Sequence, residues 1–188
     1  MPNPAMHRTC EKNRAGPVIL NVGRPRTVMP HSGERTLPFE SYPERGRALL
    51  GAIRGSNCRK GYGLKLMKIT GQTCCAYCGM SLVEPYTNWL QMAVDHVVPQ
   101  SVCRGFALSA EWIHDASNCV LSCAACNGFG NRYRPPEATL CPTTLEEFWQ
   151  LRDRIFTERW AIIRDKHAEE RRFFDSTPWR IGANRTEP

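Results

Sequence analysis

The sequence predicts an α+β protein, and three features of the chain lead to this class. Two central segments, 91–95 and 118–122, carry short, largely apolar stretches that are typical of strands. Two Cys-x-x-Cys pairs flank these segments, which is the pattern of a small fold closed by a metal ion. A long amphipathic segment at 143–174 then predicts a single C-terminal helix.

Length and composition limit the class of protein further. The 188 residues suffice for one domain of ordinary size with extensions. No run of about 18 apolar residues occurs, so we expect no membrane span. The N-terminus lacks the apolar stretch of a secretion signal, and we therefore expect a cytoplasmic protein with reduced cysteines.

The net charge of +7 is concentrated in the first part of the chain. Residues 1–70 carry 13 Lys/Arg against 4 Asp/Glu, whereas 71–135 and 136–188 each carry one acidic residue in excess. Excess Lys/Arg favours binding to nucleic acid through neutralisation of phosphates. A basic tail without such a partner explains the same charge equally well.

The predicted organisation has five parts. The first is largely irregular because it is rich in Pro, Gly, Asn and Arg, and the second is only weakly helical because glycines interrupt it. In chain order the parts are a basic extension (1–44), a weakly helical flank (45–70), a cysteine-rich core (71–135), a long helix (142–175) and a tail (176–188).

The start of the long helix has a capping pattern, since Thr143 and Thr144 are each followed by Glu three residues later. Its apolar residues recur at helical spacing, and Arg and Glu are assigned to the opposite face. We interpret the helix as packing over the core, with DNA contact through its charged face as the alternative. The apolar residues are Leu145, Phe148, Trp149, Ile155, Phe156, Trp160 and Ile163.

The two cysteine pairs, Cys75–Cys78 and Cys123–Cys126, predict one tetrahedral zinc site. Four sulfur ligands leave no open position, so we expect this zinc to be structural. Cys74 competes with Cys75 for the first position, but the two-residue spacing favours Cys75. The other six cysteines are expected to be free thiols: Cys10, Cys58, Cys74, Cys103, Cys119 and Cys141.

A second candidate site lies between the cysteine pairs. Asp95 offers a hard oxygen for a cation, His96 can take a proton near neutral pH, and Asn127 offers an amide oxygen beside the last cysteine. Adjacent side chains on a strand point to opposite faces, so Asp95 and His96 need a strand end to act together. His114 either reaches this site or is an ordinary loop histidine.

Taken in order, Cys-x-x-Cys, Asp-His-x-x-Pro, Asn and Cys-x-x-Cys-Asn over roughly 72–134 resemble the HNH endonuclease family. The resemblance implies a ββα-metal core, in which two strands and a helix surround one catalytic Mg²⁺ or Mn²⁺. It implies that His96 is the general base and that Asp95 and Asn127 bind the cation. Asn118 is implied to brace the loop that carries the histidine.

The activity that the resemblance implies is hydrolysis of DNA phosphodiester bonds. The histidine would activate water, and the cation would stabilise the leaving 3′-oxygen. A zinc-containing module that binds nucleic acid without cutting it is the main alternative. A zinc-stabilised interaction protein that uses its long helix as a partner surface is a third possibility.

The helix after Asn127 departs from the family pattern, since it contains Gly128 and Gly130 and lacks the Lys often found there. Each glycine costs a helix about 1 kcal/mol. Arg132 and Arg134 are candidates for phosphate contacts, the alternative being solvated surface charges. A homodimer is possible, although no coiled-coil seam indicates one.

Overall fold

The computed structural model describes residues 37–42, 58–137 and 139–176 of the chain. Most of the predicted basic extension, the first part of the weakly helical flank and nearly all of the predicted tail lie outside these described residues. The predicted core and the predicted long helix lie almost entirely within them.

The described part of the chain is a mixture of short helices, one small sheet and one long helix, which is the predicted α+β class. None of its helices is both long and apolar enough to cross a membrane. The elements are α1 (Tyr62–Thr70), α2 (Tyr86–Leu90), β1 (Met92–His96), α3 (Gln100–Gly105), α4 (Ala110–Ile113), β2 (Cys119–Cys123), α5 (Ala124–Gly130) and α6 (Leu145–Ser176), with short 3₁₀ turns at Pro38–Ser41 and Ala116–Asn118.

The two strands form an antiparallel sheet in which Met92 is opposite Cys123 and His96 is opposite Cys119. Each strand is shifted by one residue from its predicted position. The helix α5 follows β2 without a loop, and the Sγ of Cys123 caps it by accepting a hydrogen bond from the N–H of Cys126 at 3.4 Å. Because α5 packs against both strands, two strands and a helix form one compact unit.

The hydrophobic core lies between the sheet, α1 and α6. All five residues of β2 are buried, whereas β1 is buried only at Met92 and Asp95. Leu66 of α1 and Phe148 of α6 are completely buried in this core. Strand β2 is therefore fully buried, whereas β1 is only partly buried and its last residue, His96, is partly exposed.

One of the two predicted capping pairs, Thr144 with Glu147, forms at the start of α6. The Oε2 of Glu147 accepts hydrogen bonds from the N–H of Thr143 at 2.7 Å and of Thr144 at 3.3 Å. In return, the Oγ1 of Thr144 accepts a hydrogen bond from the N–H of Glu147 at 3.2 Å. These bonds satisfy N–H groups that a helix leaves unpaired at its start, and α6 begins at Leu145.

Two arginines lie on the buried face of α6, which corrects the expectation that Arg and Glu fill only the opposite face. Arg152 is 4% exposed and Arg159 is 1% exposed. Each follows a core residue by four positions, Phe148 in one case and Ile155 in the other, so both share the apolar face. The Nη1 of Arg152 donates a hydrogen bond to the carbonyl of Ser117 at 3.0 Å.

Arg159 forms a buried ion pair with Asp95 of β1. Its Nη2 lies 2.8 Å from Oδ2 and 2.9 Å from Oδ1 of the carboxylate. Its Nη1 donates hydrogen bonds to the carbonyls of His96 at 2.8 Å and Val97 at 2.9 Å. The hydroxyl of Tyr77 donates a further hydrogen bond to Asp95. Burial raises the pKa of Asp95, and the charge of Arg159 opposes that rise.

The guanidinium of Arg159 also explains one of the two glycines in α5. A Cβ at Gly130 would lie 2.6 Å from the Nη2 of Arg159, closer than side-chain carbons approach other atoms. A Cβ at Gly128 would meet nothing within 4 Å. The glycine at 130 is therefore required by the crossing of α5 over a buried charge.

We expect Arg159→Met to lower the free energy of unfolding by about 3–5 kcal/mol, because the Asp95 carboxylate would stay buried without its partner. Urea unfolding followed by tryptophan fluorescence measures this change. Arg164→Met is the matched control, since Arg164 lies on the same helix and pairs with Asp165 at 3.0 Å in solvent. Its effect should not exceed about 1 kcal/mol. Similar losses in both variants would contradict a special role for the buried pair.

Candidate functional site

Four cysteines form a cluster whose sulfur atoms all lie within 4.8 Å of one another. Cys75 and Cys78 come from the turn between α1 and α2, and Cys123 and Cys126 come from the junction of β2 and α5. The cluster can hold one metal ion, and this part of the prediction is confirmed. The two-residue spacing identified the correct set, with Cys75 rather than Cys74 as its first member.

The remaining cysteines follow the expectation with one exception. Cys74 is disulfide-bonded and is not the free thiol that the sequence led us to expect. The free thiols outside the cluster are Cys58, Cys103, Cys119 and Cys141, and Cys10 lies outside the described residues.

The cluster has a histidine beside it. Hydrogen bonds within the cluster lower the pKa of Cys123 and raise the pKa of Cys78 and of Cys126. The Nε2 of His167 lies 3.0 Å from the Sγ of Cys126, and its ring packs edge-on against Phe129. Since His167 lies on α6, the long helix contacts both the cluster and the Asp-His pair.

The side chains of Asp95 and His96 lie in different surroundings, as expected for neighbours on a strand. Asp95 is 5% exposed and bonds to Arg159, whereas the ring of His96 is half-buried. The Nε2 of Gln100 lies 3.4 Å from the Nδ1 of His96. Burial lowers the pKa of His96 to about 4, with smaller contributions from His114 and Arg159. At neutral pH the ring is therefore uncharged and can accept a proton.

His114 lies next to His96, which settles the alternative that the sequence left open. The two ring centroids are 5.5 Å apart, and the rings are nearly perpendicular at 83°. Both rings are half-buried. The site at the end of β1 therefore contains two histidines, although 17 residues separate them in the sequence.

Asn118 is completely buried and joins the segments that carry these two histidines. Its Oδ1 accepts a hydrogen bond from the N–H of Val98 at 2.9 Å, and its Nδ2 donates one to the carbonyl of the same residue at 3.2 Å. The Nδ2 also donates to the carbonyl of Ile113 at 3.1 Å. The side chain thus fixes the loop after His96, which is the geometry expected of a bracing residue.

Binding of a catalytic cation by Asp95 and Asn127 stays a prediction, and the contacts of Asp95 restrict it. A carboxylate has about four lone-pair sites, and Arg159 and Tyr77 occupy three of those on Asp95. Asp95 can therefore offer a cation only one further site, on Oδ1. Asn127 is half-buried on α5, and no described residue hydrogen-bonds its carboxamide.

Among the described His, Cys, Asp and Glu side chains, only the four cysteines form a group of three or more that can share an ion. A cation on Asp95 and Asn127 would therefore complete its coordination with water and substrate oxygens. The charge of Arg159 beside Asp95 would weaken the attraction of this site for a cation.

Arg132 and Arg134 lie just beyond α5 and are exposed. The residue between them, Tyr133, is buried, and its hydroxyl donates a hydrogen bond to Glu158 of α6. The Nη1 of Arg134 donates to the carbonyl of Tyr133 at 2.9 Å. Tyr133 therefore anchors a short segment that presents two cations to solvent, and their contact with phosphate stays a prediction.

Sequence reasoning missed three partners of the Asp-His pair. Arg159 could have been found from its helical spacing to Ile155, which places it on the apolar face. Tyr77 lies inside the first Cys-x-x-Cys turn, but nothing in the sequence indicates that its hydroxyl reaches Asp95. Gln100 follows the predicted strand end without any recognisable pattern.

Comparison with known proteins identifies no relative of this chain: no family model, no curated protein and no solved structure matches it. The features that bear on function are therefore the four-cysteine cluster and the paired histidines at the end of β1.

Proposed function

We propose that the protein is a metal-dependent endonuclease of the HNH type that hydrolyses DNA phosphodiester bonds. The observation that carries this proposal is the half-buried, uncharged His96 at the end of β1, in a two-stranded sheet followed directly by α5. The brace from Asn118 to the loop after His96 supports the same assignment.

In this proposal His96 accepts a proton from the attacking water. Its low pKa keeps the ring unprotonated in the free protein. An anionic phosphodiester beside the ring favours the protonated form and raises the pKa towards the range in which a base works best. Gln100 would limit rotation of the ring through its hydrogen bond.

A divalent cation, Mg²⁺ or Mn²⁺, would be held by Asp95 and Asn127 and would stabilise negative charge on the leaving 3′-oxygen. Arg159 and Tyr77 orient the carboxylate of Asp95, as groups behind a metal ligand commonly do. These contacts fix the direction of the one remaining lone-pair site on Asp95.

For the four-cysteine cluster we propose zinc, because four thiolates in a closed set are typical of structural zinc sites. The cluster joins the turn before α2 to the start of α5, so the ion would fix the helix that carries Asn127. We propose that the protein binds DNA and that the basic residues of 1–70, together with Arg132 and Arg134, contact its phosphates.

A nucleic-acid-binding module without catalysis is the second candidate. It is favoured by the ion pair of Asp95, because the carboxylate is largely committed to Arg159 and Tyr77. This candidate predicts DNA affinity that falls steeply with salt, and no cleavage under any metal condition.

We expect the wild-type protein to nick supercoiled plasmid in Mg²⁺ but not in EDTA. The variant His96→Ala should lose about 10²–10⁴-fold in rate, because it lacks the general base. Gel assays measure the rate, and Ser101→Ala, an exposed neighbour on α3, is the control that should keep it. Cleavage by metal-loaded His96→Ala at the wild-type rate would refute the assignment. Binding without nicking by the wild type would favour the second candidate.

We expect Asn127→Ala to raise the Mg²⁺ concentration needed for half-maximal nicking, because one ligand oxygen is removed. A titration of the nicking rate against Mg²⁺ measures this shift. The matched control is Asn131→Ala, since Asn131 is an exposed asparagine just after α5. An unchanged titration curve for Asn127→Ala would remove Asn127 as a ligand.

We expect one zinc ion per chain in elemental analysis, and none in Cys123→Ser. Loss of the ion should lower the midpoint of thermal unfolding, because the metal would join the turn before α2 to the start of α5. Cys141→Ser is the matched control, as Cys141 is a free and exposed thiol. A Cys123→Ser variant with the wild-type unfolding curve would show that the metal is dispensable for folding.

A further inference from the structure

We propose that His114 is a second catalytic residue of this site and that it donates a hydrogen bond to the same phosphate group that His96 serves. This inference rests on the proposed function, because it assigns a further substrate contact to the same reaction.

One buried side chain, that of Asn118, holds the segments that carry the two histidines. Asn118 bonds to Val98, two residues after His96, and to Ile113, the residue before His114. One buried carboxamide therefore fixes both segments relative to each other. Hydrogen bonds in a water-free interior hold their geometry more firmly than exposed ones.

The backbone of His114 is also fixed on both sides. Its N–H donates a hydrogen bond to the carbonyl of Ala110 at 3.1 Å, which ends α4. The next residue, Asp115, accepts a hydrogen bond from the N–H of Ser117 through its Oδ1 at 2.7 Å. The position of the His114 ring is thus determined by the fold rather than by a free loop.

The rings of His96 and His114 are in contact with each other, and both residues are partly exposed. They meet edge to face with centroids 5.5 Å apart, yet both are only half-buried. A side chain needed only for packing against His96 could be a fully buried apolar ring, such as that of phenylalanine. Two imidazoles at this distance, each partly exposed, can each place a nitrogen within hydrogen-bonding distance of one phosphate group.

A buried cation contacts the segment that carries His96. Arg159 lies behind His96 and bonds to its carbonyl. Asp95 is paired with Arg159, whereas Asp115, the residue after His114, accepts a hydrogen bond only from the neutral N–H of Ser117. Gln100 adds a further amide donor beside His96.

The water oxygen forms a bond to phosphorus, its proton passes to His96, and the bond from phosphorus to the 3′-oxygen breaks. The leaving 3′-oxygen takes a proton from solvent. His114 transfers no proton, and its N–H stabilises the charge that grows on a non-bridging oxygen.

Kinetics of plasmid nicking test the proposal. His114→Phe keeps a ring against His96 but removes the donor, so kcat should fall about 10²-fold with little change in KM. His114→Asn and His114→Gln each retain an N–H donor, and at least one should recover about tenfold of that loss. Glu111→Gln, an exposed charge on the same helix, should leave kcat unchanged. A His114→Phe variant with the wild-type kcat, or no recovery by either amide, would overturn the proposal.

A titration with inorganic phosphate, followed by NMR of the histidine ring carbons, tests the contact without cleavage. The ring signals of His96 and His114 should shift along one binding curve, and His114→Phe should weaken that binding. If the wild type fails to nick DNA, the proposed endonuclease function fails, while this titration still decides the phosphate contact. A phosphate-dependent shift of His96 with none at His114, or no shift of either, would refute the role of His114.

Discussion

The buried ion pair between Arg159 and Asp95 is the interaction on which the geometry of the site depends. Through it the long helix α6 reaches the end of β1 and the two carbonyls that follow. Tyr77 joins the same carboxylate from inside the first cysteine turn. The first cysteine turn, the sheet and the long helix therefore meet at the carboxylate of Asp95, and none of them positions His96 alone.

Such a pair contributes little net stability, since well-packed apolar side chains of similar volume are often at least as stabilising. Its effect is to orient the end of strand β1. The guanidinium bonds to the carboxylate and to the carbonyls of His96 and Val97, and this pattern admits only one arrangement of the strand end. The same charge would weaken the attraction of Asp95 for the cation proposed to bind there.

Local patterns in the sequence predicted much of the fold but less of the site. The spacing of four cysteines identified the metal cluster, and Thr144 and Glu147 identified the start of α6, because both depend on a few neighbouring residues. Arg159 was assigned to the solvent face, because an arginine on an apolar stripe has no visible partner until the fold brings a carboxylate to it. The approach of His114 to His96 likewise depends on Asn118, which no local pattern reveals.

The close approach of Gly130 to Arg159 has an evolutionary consequence. A side chain at 130 would occupy the space of the guanidinium, and a shorter residue at 159 would leave Asp95 unpaired. Three positions on three separate elements can therefore change only together. In descendants of this sequence, an alanine at 130 should be accompanied by loss of both charges, and such a chain would need another way to hold its histidine.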